Sequence, residues 1–84
     1  MKVILSVRFL REYEFWRKSQ KSVVEKINKL IESIKINPIS GIGKPEKLKG
    51  NNDTWSRRIT KGNRLTYLVS INTVTLISCK GHYE

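Results

Sequence analysis

The apolar residues of this chain change their spacing once, between the residues around 36 and those around 54, and that change limits the folds open to it. Before it, Phe9, Tyr13 and Trp16 recur at i, i+4 and i+7, and Val23, Val24, Ile27, Leu30, Ile31 and Ile34 keep a helical period. After it the period is two. Trp55, Arg57 and Ile59 alternate with Ser56 and Arg58, and Leu65, Tyr67 and Val69 alternate with Arg64, Thr66 and Leu68. Two amphipathic helices followed by a run of strands predict an α+β domain whose helices cover one face of a sheet, leaving the other face free for chemistry.

The punctuation between these runs predicts where the elements begin and end. Lys2 to Ser6 is a short β-prone run holding Val3, Ile4 and Leu5, an inner or edge strand, after which Ser6 is free to cap a helix. Arg8, Arg11, Glu12 and Arg17 fall mostly on the water side of that helix. Ser22 with Glu25 matches a capping box for a second helix, and Lys18 to Lys21 is short enough to make the two an antiparallel hairpin. Asn37-Pro38 stops the second helix, and Ile39 to Lys49, with Gly41, Gly43 and Pro45 among lysines, reads as an irregular surface loop. A strand from Thr54, a tight turn at Lys61-Gly62-Asn63, a strand from Arg64 to Ser70, a turn at Ile71-Asn72 and a run from Thr73 to Cys79 form a meander. With the first strand added, the sheet has four to five strands. No repeat, linker or low-complexity tract divides residues 1–84, so a single domain is expected.

Lysine and arginine total 17 against 7 acidic residues, a formal charge of +10. An excess of that size calls for a polyanionic partner, and nucleic acid rewards clustered cations through counterion release. A membrane is the weaker partner, because neither helix is a basic amphipath with a free aromatic face and no run approaches the ~20 apolar residues of a span. Residues 1–10 carry Lys2 and Arg8 and lack a secretion signal. One cysteine, Cys79, allows no internal disulfide, so a reducing cytoplasm is expected and Cys79 reads as a small apolar filler. One histidine, one cysteine and scattered carboxylates supply neither a zinc site nor a two-metal site, and no phosphate-binding glycine loop or serine triad occurs. A nuclease built from such residues works without metal or cofactor. Its substrate would be RNA, whose 2′-hydroxyl lies beside the scissile phosphate, and it needs a base, a phosphate clamp and an acid.

Few residues can fill those roles. His82, in Gly81-His82-Tyr83, is on its own merits more often an incidental surface histidine than a catalyst. Glu46 sits among Lys44, Lys47 and Lys49, either as a solvated charge or as a base aimed at a ligand that the lysines hold. Alternation puts at least one of Arg57 and Arg58 opposite the face of Trp55 and Ile59, and Arg58 with Arg64 is the pair expected on the open face. Two guanidiniums side by side suit a phosphate, although two solvated strand arginines would satisfy the pattern equally.

The runs Gly41-Ile42-Gly43-Lys44-Pro45-Glu46-Lys47-Leu48-Lys49, Trp55-Ser56-Arg57-Arg58-Ile59-Thr60, Asn63-Arg64-Leu65-Thr66-Tyr67 and His82-Tyr83 resemble the YoeB/Txe toxins of the RelE/ParE superfamily, in order and spacing over nearly the whole chain. The resemblance implies a RelE-like fold, a twisted and mainly antiparallel sheet with two helices on one face. It implies a toxin of a type II toxin-antitoxin system, a metal-independent endoribonuclease that cleaves messenger RNA in the ribosomal A site and so inhibits translation. Attack by the 2′-hydroxyl would leave a 2′,3′-cyclic phosphate and a 5′-hydroxyl. Residue by residue, the resemblance makes Glu46 the general base, Arg64 the arginine that stabilises the transition state and His82 the general acid. It makes Arg58 and Tyr83 supporting residues and Lys49 a basic residue near the scissile phosphate. Lys44 and Lys47 are expected to bind RNA through their charge. Trp55 is assigned to packing. Glu84, one residue beyond the family's usual last tyrosine, is expected to point into solvent.

The same resemblance implies a YefM/Axe-like antitoxin whose disordered acidic segment folds over the toxin, operator DNA contacted only through that complex, and a toxin homodimer. A surface at +10 makes an acidic partner of that kind physically sensible. Two rivals compete with the ribonuclease. A ParE-like inhibitor of DNA gyrase has no chemical need for Glu46, Arg64 and His82 together, and a non-catalytic basic nucleic-acid-binding module leaves their joint spacing to chance.

Overall fold

The computed structural model describes residues 1–50 and 53–81. In chain order its elements are β1 (Lys2–Leu5), α1 (Val7–Ser19), α2 (Lys21–Ile36), β2 (Glu46–Lys47), β3 (Thr54–Thr60), β4 (Asn63–Ser70) and β5 (Thr73–Ser78). The sheet has five strands in the order β1-β5-β4-β3-β2, antiparallel throughout except for the parallel pair of β1 and β5. The α+β class, the meander and the helix pair on one face agree with the expectation, and β1 takes an edge. The segment expected to be an irregular loop differs in one respect. Within it Glu46 and Lys47 pair with Ser56 and Trp55, which makes them the opposite edge strand.

Ser6 begins α1 as expected: its Oγ accepts from the Phe9 N–H at 3.0 Å and its hydroxyl donates to the Ile77 carbonyl at 2.8 Å, which fastens the helix to β5. The capping box at Ser22 and Glu25 does not form. The two helices leave only Gln20 between them, in extended conformation at φ −149° and ψ 101°, and Gln20 both closes α1 and opens α2 without a side-chain cap. Ser22 therefore falls inside the first turn. The hairpin is antiparallel, since Phe9 and Leu10 from the start of α1 share a groove with Ile31 and Lys35 from the end of α2. The Tyr13 hydroxyl joins the helices by donating to Asn28 Oδ1 at 2.7 Å. Asn37 ends α2 before Pro38, its N–H donating to the Ser33 carbonyl at 2.9 Å.

One apolar cluster joins the layers. Phe9 and Trp16 from α1 and Val23, Ile27, Leu30 and Ile34 from α2 pack on Leu65, Tyr67, Val74 and Leu76 of the sheet, while Trp55 packs at the margin. Cys79, just past β5, fills a gap there, and burial pushes its thiol up to about 12. Glu12 departs from the expectation that it faces water. It turns inward to accept the Cys79 N–H at 2.8 Å, because the chain leaving β5 otherwise has a buried donor without a partner.

Candidate active site

The register of β2, β3 and β4 assembles the site. Glu46 lies opposite Ser56, Ser56 opposite Thr66, and Arg58 opposite Arg64, so strand alternation puts Glu46, Ser56, Arg58 and Arg64 on the face away from the helices. Arg58 is exposed, whereas the Arg64 side chain is only 12% exposed. Arg64 Nε donates to Ser56 Oγ at 2.9 Å. Its Nη2 lies 3.5 Å from Glu46 Oε2, close enough for an ion pair, yet it is buried and has no hydrogen-bond partner among the described residues. Glu46 is 67% exposed at the side chain and pairs with Arg64 rather than with a lysine of its own run. Two arginines directly across a strand pair repel, so Arg58 and Arg64 stand ready for an anion that satisfies both.

Lys44, Lys47 and Lys49 are all exposed. Lys44 takes a left-handed backbone at φ 51°, and alternation along β2 turns Lys47 to the opposite face from Glu46. His82, Tyr83 and Glu84 lie outside the described residues. The chain is described as far as Gly81, whose carbonyl accepts the Arg64 main-chain N–H at 3.0 Å and whose own N–H donates to Asn63 Oδ1 at 2.8 Å.

Arg57, on the helix-facing side of β3 opposite Leu65, is completely buried and has no carboxylate partner among the described residues. Each of its five N–H groups instead meets an acceptor. Nε donates to the Tyr67 hydroxyl at 3.0 Å, Nη1 to Ser33 Oγ at 2.7 Å and the Ile42 carbonyl at 3.2 Å, and Nη2 to the Asn37 carbonyl at 2.6 Å and the Ser40 carbonyl at 2.9 Å. The Tyr67 hydroxyl in turn donates to the Pro38 carbonyl at 2.6 Å. Burial raises the Tyr67 phenol above its ordinary range, and the Arg57 hydrogen bond and charge oppose that rise. The carbonyls that surround Arg57 belong to the loop leading to Glu46, and the loop is moulded on the guanidinium. A Cβ on Gly41, at φ 129°, would strike Ser33 Oγ, and one on Gly43, at φ 82°, would come within 2.5 Å of Leu30 Cδ2. The Gly43 carbonyl then accepts the Arg58 N–H at 2.7 Å, so neighbouring residues of β3 grip the loop, one through its side chain and the other through its main chain.

Residues 6–83 match the family model of the YoeB-like toxin of bacterial type II toxin-antitoxin systems. The chain belongs to this family. Toxin YoeB of Escherichia coli K12 is 42% identical over 84 residues, covering 99% of this chain and all of that protein. Among solved structures, a YoeB dimer from Staphylococcus aureus superposes with a TM-score of 0.90 at 41% identity, covering 99% of this chain and 98% of the other. A heterotetrameric YoeB-YefM toxin-antitoxin complex from the same organism gives 0.87 at the same identity and coverage.

In this YoeB-family toxin the parts played by two residues, Arg57 beneath the loop and Ser56 in the site, escaped the sequence reading. Arg57 carried a signal, since it shares strand parity with the apolar Trp55 and Ile59 and so had to turn inward. Ser56 carried none, because a serine in a strand is unremarkable until the side chain that crosses it is seen.

Proposed function

We propose that this YoeB-family toxin is a metal-independent endoribonuclease that cuts messenger RNA in the ribosomal A site and thereby stops translation. The observation that supports this reading is the buried Nη2 of Arg64, unsatisfied beside Glu46 and across the strand from Arg58. An RNA phosphate would supply the missing acceptor and, with it, a countercharge for two arginines set opposite each other in the strand pair. Glu46, two-thirds exposed and on the same face, is then the base that takes the proton from the adjacent 2′-hydroxyl. The oxygen so freed attacks phosphorus, Arg58 and Arg64 balance the charge that develops, and His82 protonates the departing 5′-oxygen. The products are a 2′,3′-cyclic phosphate and a 5′-hydroxyl. Tyr83 supports the acid, Lys49 lies near the scissile phosphate, and Lys44 and Lys47 bind the RNA backbone farther out.

The Staphylococcus aureus relatives support two partners for this chain, a YefM-type antitoxin and a second toxin copy. Operator DNA would be reached only through the antitoxin complex. All of these encounters take place in the cytoplasm. Among the described residues no helix is long and apolar enough to cross a membrane. The test is incubation of purified protein with translating ribosomes and EDTA, followed by primer extension on the messenger. Codon-linked ends bearing cyclic phosphates are expected. Intact messenger on ribosomes that carry the bound protein would overturn the reading.

A further inference from the structure

We infer that Ser56 is the positioning residue for Arg64: it holds the guanidinium by Nε and leaves only the terminal nitrogens to meet the phosphate of a bound RNA. The inference deepens the ribonuclease reading and rests on it. Ser56 is 1% exposed and occupies the centre of the site, register partner of Glu46 on one side and of Thr66 on the other. Arg64 faces Arg58, so Ser56 is its diagonal neighbour on β3, a separation that a long side chain can span. Arg64 spans it. From β4 the side chain runs across β3 toward β2, its Nε reaching Ser56 Oγ at 2.9 Å and its Nη2 arriving 3.5 Å from Glu46.

Two properties of serine make this path possible. Its small side chain leaves room for a guanidinium to lie along the sheet, and its hydroxyl oxygen accepts the hydrogen bond that fixes where the guanidinium stops. A guanidinium can grip a phosphate through Nε and one Nη, or through both Nη groups. With Nε committed to Ser56, the second mode is the one left, and it points the charge along the sheet toward Glu46. Ser56 therefore governs the distance between the phosphate clamp and the base without touching the reacting atoms.

The experiment compares the wild type with Ser56→Ala and Ser56→Thr, the second of which keeps the acceptor. On programmed ribosomes Ser56→Ala is expected to lower kcat by about tenfold, in line with one lost hydrogen bond to a charged group, while KM stays within about twofold and Ser56→Thr restores most of the rate. In the free protein, the Arg64 Nε–H proton, assigned by its loss in Arg64→Lys, is expected to exchange with water about tenfold faster in Ser56→Ala than in the wild type. An unchanged kcat in Ser56→Ala overturns the inference while the ribonuclease reading stands. A melting temperature that falls enough to account for the lost rate also overturns it, in favour of a purely structural serine. Should the wild type fail to cleave, the ribonuclease reading fails, and the exchange measurement still decides whether Ser56 holds Arg64, an unchanged rate counting against it.

Discussion

The main-chain N–H of Arg64 donates to the carbonyl of Gly81 at 3.0 Å, so the residue that would clamp the phosphate also holds the chain next to His82. Asn63 adds a second tie, accepting the Gly81 N–H at 2.8 Å while its own amide donates to Thr60 Oγ1 at 2.9 Å. Replacing Asn63 with alanine removes the side-chain tie and keeps the main-chain one. Cleavage is expected to fall by roughly tenfold with ribosome affinity unchanged, since about 1.4 kcal/mol of positioning would be lost. Removing Tyr83 and Glu84 together is expected to cost ~10² in rate, and removing Glu84 alone to cost little. Normal cleavage by both truncated forms and by Asn63→Ala would place the acid elsewhere.

Glu46→Gln and His82→Ala are each expected to lower cleavage by ~10² to 10⁴, and Arg64→Ala by ~10² to 10³. Growth arrest on induction is the simplest measurement, with melting curves to establish that each variant is folded. Full arrest by any two of the three would withdraw those two from the chemistry.

Arg57 predicts an effect of another kind. Tyr67→Phe deletes the hydroxyl that links Arg57 Nε to the Pro38 carbonyl and is expected to cost about 1–3 kcal/mol of stability in urea unfolding. Arg57→Lys is expected to cost more, because three ammonium donors cannot serve the five acceptors that the guanidinium satisfies. If Arg57→Lys unfolds at the same urea concentration as the wild type, the buried network contributes nothing to holding the loop.

Cys79 and Tyr67 set an alkaline limit. The folded state keeps the Cys79 thiol neutral up to about 12, whereas the unfolded chain ionises it near its ordinary value of 9.0. Above pH 9 the unfolded state therefore binds fewer protons than the folded one. Stability is fully present below that value and is lost as pH rises toward 12, with Tyr67 contributing in the same direction. Chemical unfolding measured across this range should show the decline, and Cys79→Ala should make it shallower. An identical slope in that variant would remove Cys79 as a cause.

Lys44, Lys47 and Lys49 are exposed cations next to Glu46. Association with RNA or ribosomes is expected to weaken with salt at a slope of roughly −0.7 per phosphate engaged on single strands, and replacing any one lysine with alanine should reduce the slope by about that amount. A triple alanine variant with the slope of the wild type would leave the lysines merely solvating.

Alternation alone was enough to place Arg58 and Arg64 together on the open face, because one face of each strand is filled with large apolar residues and the register admits no other choice. Helical spacing likewise identified Phe9, Trp16, Ile27 and Leu30 as core. What escaped was set by contacts distant in the chain. A strand of only two residues at Glu46 has no period to detect, and it exists because β3 offers it an edge. The capping box at Ser22 lost to the close succession of two helices at Gln20, which left no room for a separate cap. The inward turn of Glu12 answers a donor at Cys79, which lies 67 residues away along the chain.

The parallel pairing of β1 with β5 sets the order in which this molecule can be made. The first strand to leave the ribosome finds its partner only when residues 73–78 have been synthesised, and the strand that arrives last takes the second place in the sheet. Until then α1 and α2 have β3 and β4 to cover but no Val74 or Leu76 beneath them, and Gly81 has not yet reached Arg64. Such long-range closure is slow compared with helix formation. A nascent chain of this kind therefore carries β1 without its partner and an edge of β4 uncovered until β5 has been made.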